Sequence, residues 1–411
     1  MKRNYSSKES SAVPKYIGLF VLMTFVFMLG WNAGVSHNQI QQGMTSKTTV
    51  TSPTGQAETV NMQIFWDAWN ILSSNYVDPH TLVTEDMIFG AIKGMVASVK
   101  DPYTTFMTPK ENREFQESLQ GHLEGIGAEL TLRNGMLTVI SPLKNSPAQK
   151  AGLQPEDIIY EVDGTSTEDM TLEQAVMKIR GEKGSVVTLT VLRKNHHDPI
   201  KITIVRDMIN INSIDWEMKG DIAVIEINQF GDATKQEFSK AISEILAERP
   251  KGVVLDLRYN GGGYLDGAID IASEFLEKEK VVTIKKRNPE EDEVIYVNGQ
   301  ARMASMPLAV LINKGSASAS EIVAGAIQDH NRGIVIGEKS FGKGTVQAVE
   351  NLIGGSSLRV TIAKWFTPND QNINESGITP DIIVERTSED IEAGKDPQLQ
   401  KAIEYLESLD S

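Results

Sequence analysis

Small hydroxyl residues and an isolated lysine occur close together in the segment 307–347 and could carry out nucleophilic chemistry. The run GSASASE contains three serines, and Lys343 follows between two glycines in SFGKGTVQ. A serine hydroxyl attacks a carbonyl when a base takes its proton, and lysine can be that base only when its pKa is lowered by burial. The segment therefore predicts a serine nucleophile, one of Ser316, Ser318 and Ser320, with Lys343 as its base.

Histidine, the usual base for a serine, is badly placed in this chain. His330 follows Ser318 by twelve residues of a predicted helix, which separates the two by roughly 18 Å. The remaining histidines fall in segments that we predict to be linkers or loops: His37, His80, His122, His196 and His197. A Ser-Lys pair is therefore the better interpretation.

A predicted strand and helix position the serines. The apolar run 307–312 predicts a buried strand ending at Asn313, and apolar residues recur at helical spacing from Ser320 onward. The serines thus fall at a helix N-terminus, where unpaired N–H groups and the helix dipole favour an anion. The alternative is that the small residues only allow close packing and that a serine is the N-cap. Lys343 is the feature that favours a catalytic serine over this alternative.

The lysine segment predicts a second strand, 345–349. At a period of two, Lys343, Thr345 and Gln347 share one face. An inward lysine and amide are costly unless they serve a site. This predicts that Gln347 belongs to the same site as Lys343.

The run GEKSFGK, residues 337–343, offers an alternative because it matches seven positions of the phosphate-binding loop motif. The eighth position requires a hydroxyl that ligates Mg²⁺, and Gly344 stands there. No helical pattern follows it. Nucleotide binding is therefore the weaker interpretation.

The composition predicts a globular chain of two or three domains. The 411 residues are 40% hydrophobic, which is enough for real cores. Cysteine is absent, so disulfides and thiolate metal sites are excluded. Since the chain has six histidines and no HExxH-type spacing, we expect no metal. Serine chemistry with a lysine base requires no cofactor.

The N-terminal residues predict a membrane anchor. Residues 1–15 form a basic tail of charge +3, so the overall charge of −15 leaves −18 for the remainder, which argues against nucleic acid as a partner. The apolar run YIGLFVLMTFVFMLGW opens the segment 16–35. No small-residue cleavage site follows it, so we predict a single-pass signal-anchor in the cell membrane, with the tail cytoplasmic and the catalytic part extracytoplasmic.

The anchor leaves one alternative open, because its apolar run is short for a full span. Cleavage of the segment as a signal peptide would make the protein secreted. The residues that follow, 36–60, are rich in Ser, Thr, Gln and Gly and predict a polar linker without a fold.

Two amphipathic helices, 61–75 and 86–99, are predicted within an N-terminal helical region, 61–118. Their apolar faces need a partner, which is either the rest of the chain or a second copy. A last helix, 396–406, lies in the C-terminal segment 386–411. We expect a homodimer through the N- and C-terminal helices.

Residues 119–207 predict a β-rich module with one good helix, 171–180. Its motifs EGIGAEL, SPAQKAGL and PEDIIYEVDG resemble a PDZ domain and occur in the expected order. In such a module backbone N–H groups form a nest for a peptide's terminal carboxylate, while the peptide adds as a strand. The nest residues are Gly125, Ile126, Gly127 and Ala128. The alternative is that these glycines only make a turn.

Residues 208–385 predict a hydrolase core of mixed sheet flanked by helices. The triplet Gly261-Gly262-Gly263 follows the end of the predicted strand 252–257, and a helix comes after it. Ligands of α/β folds commonly bind at such a strand end beside a helix N-terminus. The alternative is that the glycines only make a flexible turn. The hairpin 351–371 is expected to continue the sheet. The fold class is a mixed α/β, or α+β, multidomain protein.

These motifs resemble the carboxyl-terminal processing proteases, also called tail-specific proteases. FWDAWNILSSNYVD, DPYTTFMTP, the PDZ module, DLRYNGGG, GSASASE and SFGKGTVQ occur in that family's order. The resemblance implies Ser318 as nucleophile, Lys343 as general base and Gln347 as the group that orients the lysine. It also implies an oxyanion hole formed by the backbone N–H groups of Ala319 and Gly262.

The resemblance further implies a serine endopeptidase that works through an acyl-enzyme. Its PDZ module would capture protein or peptide substrates by their free apolar C-termini. Arg180 would couple tail binding to activation, or else is a solvated cation at a helix end. The alternative function is a membrane-anchored PDZ adaptor with an inactive hydrolase domain, against which the intact set of Ser318, Lys343 and Gln347 argues.

Overall fold

The computed structural model describes residues 47–51, 57–133, 135–143, 146–154, 156–170, 172–194, 196, 198–387, 389–390 and 393–409. The chain divides into two compact units, Met1–Ala91 and Ile92–Ser411. Across the described ranges, no helix is both long and apolar enough to cross a bilayer. The predicted anchor, 16–35, lies outside those ranges.

The first unit contains a hairpin and a helix. Strands β1, Lys47–Thr51, and β2, Ala57–Asn61, pair antiparallel, so the prediction that 36–60 has no fold is wrong for these residues. Helix α1 covers Gln63–Asn75, and helix α2, Thr84–Ala97, begins in this unit; both confirm predicted helices. None of the α1 residues is buried, and Ile64 is 79% exposed. The homodimer stays a prediction.

The second unit begins within α2, and two elements that were not individually predicted from the sequence follow it. Strand β3, Thr105–Met107, is followed by helix α3, Pro109–Leu119. Thr108 caps the helix, because its hydroxyl accepts from Glu111 N while the Glu111 carboxylate accepts from Thr108 N. The motif DPYTTFMTP, residues 101–109, therefore leads directly into a helix.

The β-rich module predicted at 119–207 contains a sheet in the order β10-β9-β7-β6-β5, with β8 on β7. The helix α4 and the helix α5 pack with it, and β4 pairs with β11 beside it. Its core is made of inward apolar residues such as Val139, Ile159 and Leu189, all fully buried. The elements are β4 His122–Gly125, β5 Ala128–Arg133, β6 Met136–Pro142, α4 Pro147–Lys150, β7 Ile158–Val162, β8 Thr165–Ser166, α5 Leu172–Ile179, β9 Val186–Leu192, β10 Ile200–Val205 and β11 Asp207–Asn210.

A six-stranded sheet in the order β12-β13-β14-β17-β18-β21 forms the core of the rest. Only β12 runs antiparallel to its neighbour; the other pairs are parallel. Helices α6, α7 and α8 pack in the apolar cluster of one face, and α9 in that of the other. The elements are β12 Ile214–Lys219, β13 Ile222–Ile227, α6 Thr234–Glu248, β14 Gly252–Asp256, α7 Leu265–Ala272, β17 Leu308–Ile312, α8 Ala319–Asp329, β18 Ile334–Gly337, β21 Ile382–Ile383 and α9 Pro397–Ser408.

The predicted hairpin forms, but it does not continue this sheet. Strands β19, Thr345–Asn351, and β20, Ser357–Phe366, belong to a second, five-stranded sheet with β15, Lys280–Lys286, β16, Glu293–Tyr296, and β3. The prediction is wrong because β21 occupies the edge of β18, while β20 pairs with β15 and β3 instead. The mixed α/β fold class is confirmed.

Arg258 fastens the C-terminal helix to the core sheet. The guanidinium is buried and its Nη2 lies 2.6 Å from Asp256 and 2.9 Å from Asp396, the residue before α9. Its Nη1 donates to Gln398 at 3.0 Å. Burial alone would raise the pKa of Asp396, but the Arg258 hydrogen bond and charge hold it below its usual value.

Candidate active site

The three serines of GSASASE have different surroundings. Ser316 is fully buried, and its hydroxyl donates to Leu257 O at 2.8 Å and accepts from Asn313 N at 3.0 Å. Ser320 is also fully buried and donates to Asn260 O at 2.9 Å. Ser318 alone of the three lines a cavity. The geometry therefore favours Ser318 as the nucleophile.

The backbone at Ser318 is strained in a way that suits a functional residue. Its φ of 54° and ψ of −114° lie in a region that non-glycine residues rarely adopt. The strain arises where the fully buried strand β17 turns into helix α8, which begins at Ala319. The N–H of Ala319, as the first of a helix, has no acceptor within that helix.

Gly262 approaches this turn so closely that no side chain fits. A Cβ on Gly262 would lie 2.7 Å from Ala317 O, 2.8 Å from Ser318 Cβ and 2.9 Å from Ala319 N, and its φ is +96°. Only glycine tolerates both conditions. The N–H of Gly262 donates to Asn260 Oδ1 at 2.8 Å, so this predicted oxyanion donor is occupied.

A residue that the sequence analysis did not assign joins the serine to the lysine. The Glu321 carboxylate is fully buried and accepts hydrogen bonds from Ser318 N at 2.8 Å and Lys343 N at 3.0 Å. It also accepts from Gly342 N and from Ser340 Oγ, both at 2.6 Å. Burial raises the pKa of Glu321, against the effect of these hydrogen bonds. The S-x-x-E spacing of a capping box is the signal that could have identified it.

Lys343 is half-buried in the loop before β19. Its carbonyl accepts from Trp365 Nε1 at 2.9 Å, and its Nζ lies 5.0 Å from the centre of the Tyr103 ring. Burial lowers the pKa of Lys343, and the positive charge of Arg359 lowers it further, while Glu321 and Asp101 oppose the change. The direction is the one that a lysine base requires.

Gln347 faces the same cavity but makes other hydrogen bonds than expected. Its Nε2 donates to Thr345 Oγ1 at 2.9 Å and to Thr361 Oγ1 at 3.3 Å. These bonds leave its Oε1 as the atom that could accept from Lys343 Nζ. Its orienting role stays a prediction.

One cavity of about 490 Å³ brings together the five predicted residues of the hydrolytic site. Ser318, Ala319, Lys343, Gln347 and Gly262 all line it. Apolar side chains supply much of the remaining wall, including Phe115, Leu119, Leu265, Ile322, Val349 and Trp365. A mostly apolar lining with a few converging polar groups is typical of a ligand-binding cavity.

A second cavity, of about 680 Å³, contains the predicted carboxylate nest. Gly125, Ile126, Gly127, Ala128 and Arg180 line it. Its apolar wall is formed by Leu123, Leu130, Leu143, Val176, Ile179 and Ile209. A Cβ on Gly125 would lie 3.7 Å from Arg180 Cγ, so the arginine stem runs beside the glycine loop. The nest and coupling roles stay predictions.

Comparison with known proteins gave matches over most of the chain. Residues 221–384 match peptidase family S41, 138–193 match a PDZ domain, and 21–111 match the activating protease CtpB N-terminal domain. A probable CtpA-like serine protease of Staphylococcus saprophyticus is 40% identical over 304 residues. A protein of the same name in Staphylococcus aureus strain N315 is 36% identical over 331 residues.

The chain spans about three fifths of the length of the first of these relatives. The alignment covers 74% of this chain and 61% of the S. saprophyticus protein, and 80% and 66% for the S. aureus protein. Among solved structures, a photosystem II D1 C-terminal processing protease is similar, with a TM-score of 0.55, 27% identity, and coverage of 78% of this chain and 92% of that one. A putative S41 protease from Bacteroides fragilis shares the fold, with a TM-score of 0.54, 15% identity, and coverage of 83% and 96%.

Replacing Gly262 by alanine tests the close approach to Ser318. Because the new methyl group would meet two backbone atoms and a Cβ below 3.0 Å, the glycine turn or the serine must move. We expect Gly262→Ala to lower kcat/KM for an unstructured protein substrate by about 100-fold or more, a loss typical of a displaced oxyanion donor.

The adjacent Gly261 supplies a matched control. A Cβ at that position meets no atom within 4 Å. Gly261→Ala should therefore retain most of the activity. If Gly262→Ala and Gly261→Ala were equally active, the close approach of Gly262 to Ser318 would not be needed for activity.

Proposed function

The chain belongs to peptidase family S41, and from that membership we propose that it is an active serine endopeptidase with Ser318 and Lys343 as its catalytic dyad. One observation carries the proposal. Among the three clustered serines, only Ser318 lines the cavity that the half-buried Lys343 also lines. The hydroxyls of Ser316 and Ser320 donate to backbone carbonyls instead.

In this mechanism the Ser318 hydroxyl attacks the substrate carbonyl and Lys343 Nζ accepts its proton. The lysine then protonates the leaving amine, and water hydrolyses the acyl-enzyme with Lys343 again as base. Backbone N–H groups of Ala319 and Gly262 stabilise the oxyanion. Since Gly262 N–H is bonded to Asn260 Oδ1, Ala319 is the donor without a partner in its helix, and Gly262 would have to exchange its bond to Asn260 for one to the oxyanion.

Lys343 must be neutral to act as base, so activity should rise with pH through its lowered pKa. Ser318→Ala and Lys343→Ala should each abolish cleavage of an unstructured protein bearing an apolar tail. Lys343→Arg should be equally inactive, because a guanidinium stays charged at these pH values. Cleavage is followed by gel and by mass spectrometry.

The control for this experiment is the pair of buried serines. Ser316→Ala and Ser320→Ala should reduce stability, since each removes a buried hydrogen bond to a backbone carbonyl, but the folded fraction should still cleave. Proteolysis by Lys343→Arg would exclude a lysine base. A wild type that binds tails without cleaving them would favour the adaptor.

We also propose that the second cavity captures the free C-terminus of a substrate. Its apolar wall suits a small or apolar last residue, and the N–H groups of the 125–128 loop can bind a carboxylate. Arg180, beside the loop, would couple this binding to activity.

Gly127 provides the test of tail capture. Its φ is +70°, and a Cβ would lie 2.6 Å from Ser146 Cβ and 3.0 Å from Ile209 Cδ1. Gly127→Val should weaken binding of an apolar tail peptide about tenfold or more, measured by fluorescence anisotropy with the Ser318→Ala chain. Gly135→Ala, which has a similar φ of +77° but open space around the Cβ, is the control. If an amidated tail bound as well as the free acid, the carboxylate nest would be disproved.

Finally, we propose that residues 16–35 anchor the protein in the cell membrane, with secretion after cleavage as the alternative. The apolar run and the basic residues before it support this. The full chain should stay with the membrane pellet after an alkaline wash, whereas a chain that starts at residue 36 should be released. Release of both would rule out the anchor, and a mature N-terminus beyond residue 31 would favour secretion.

A further inference from the structure

A second cation, Arg359, faces the catalytic cavity without an assigned role. It lies on β20, opposite Val349 of β19 and Thr105 of β3. Its side chain lines the same cavity as Ser318 and Lys343 and is half-buried there. The pairing with two neighbouring strands fixes its backbone, so the position of the side chain is set by a sheet rather than by a loop.

The guanidinium has few partners. Its Nε donates to Tyr103 O at a long 3.3 Å, and its Cζ lies 5.7 Å from the centre of the Phe115 ring. Within the described part of the chain, neither Nη atom of Arg359 donates to a hydrogen-bond acceptor, and no carboxylate oxygen lies within 4.0 Å of its guanidinium nitrogens. Both Nη nitrogens of the planar guanidinium therefore remain as donors for a ligand.

The nearby carboxylate of Asp101 acts on Arg359 through its charge, but its oxygens already accept hydrogen bonds from other groups. Asp101 accepts from Thr104 Oγ1 at 2.6 Å and from Tyr103 N at 3.1 Å. Burial lowers the pKa of Arg359, and Asp101 only partly opposes this. Because a guanidinium stays protonated, the cavity holds a charged group that is partly desolvated and incompletely compensated.

Resting on the proposed peptidase function, we propose that Arg359 is an anion-binding subsite of the catalytic cavity that receives a carboxylate of the substrate next to the scissile bond. The planar fork of a guanidinium matches a carboxylate with two parallel hydrogen bonds. The carboxylate comes either from an Asp or Glu side chain of the uncleaved substrate or from the new α-carboxylate of the product.

The subsite has a consequence for the base. Arg359 is one of the groups that lower the pKa of Lys343, so an anion bound to Arg359 cancels part of that effect. A substrate with an acidic side chain in the subsite should bind more tightly and should require a higher pH for half-maximal kcat. A guanidinium that acts only as a fixed charge would change the pH profile equally for every substrate.

The experiment uses the full chain in detergent and peptides that differ only by Glu or Gln at each of three positions on either side of the cleaved bond. At one position we expect Glu to raise kcat/KM about tenfold over Gln, mainly through KM. Arg359→Gln should abolish this preference and Arg359→Lys should keep part of it. Lys364→Gln, which removes an exposed cation of the same strand from outside the cavity lining, should keep it in full.

Binding to the Ser318→Ala chain distinguishes the two sources and separates this proposal from the peptidase function. Preference for Glu over Gln in uncleaved peptides identifies a side-chain carboxylate, and preference for product acids over product amides identifies the α-carboxylate. Binding of apolar tail peptides reports that each variant is folded. The inference is overturned if neither preference is seen, or if Arg359→Gln retains it while folded, whether or not the wild type cleaves.

Discussion

The buried carboxylate of Glu321 is the interaction on which the site depends. It has no solvent exposure, and four donors from two chain segments converge on it: Ser318 N, Ser340 Oγ, Gly342 N and Lys343 N. A carboxylate without such donors would be very costly to bury. Its burial therefore requires that the start of helix α8 and the loop before β19 stay together, and this holds the serine and lysine backbones on one cavity.

The parallel core sheet explains why the glycine triplet and the serine meet. Strands β14 and β17 are neighbours, so the loops that follow their carboxyl ends lie side by side. Asn260 joins them, since its carbonyl accepts from Ala317 N and Ser320 Oγ while its amide donates to Ile227 O. Small residues are needed where these loops touch. The amide oxygen of Asn260 also accepts from Gly262 N–H, so the residue that joins the two loops also binds one of the two predicted oxyanion donors.

The second, five-stranded sheet positions side chains that determine the electrostatic environment of Lys343. Its strands β19 and β20 bring Gln347 and Arg359 to the cavity, and β3 leads back to Tyr103, whose ring lies near Lys343 Nζ. Two cations in one partly apolar cavity favour the neutral form of the lysine. The lowered pKa of Lys343 and the sparse hydrogen bonding of the Arg359 guanidinium thus both follow from this arrangement.

The sequence by itself predicted several elements of the core, because buried strands such as Leu308–Ile312 and helices such as Ala319–Asp329 have strong local patterns. It also located the serine cluster and the lysine. It could not place the hairpin in its sheet, since strand pairing depends on which edges are already occupied. Nor could it choose among the three serines from local pattern, or identify Glu321 and Arg359: a residue's burial and its hydrogen-bond partners come from segments distant in the chain, so only the tertiary structure decided them.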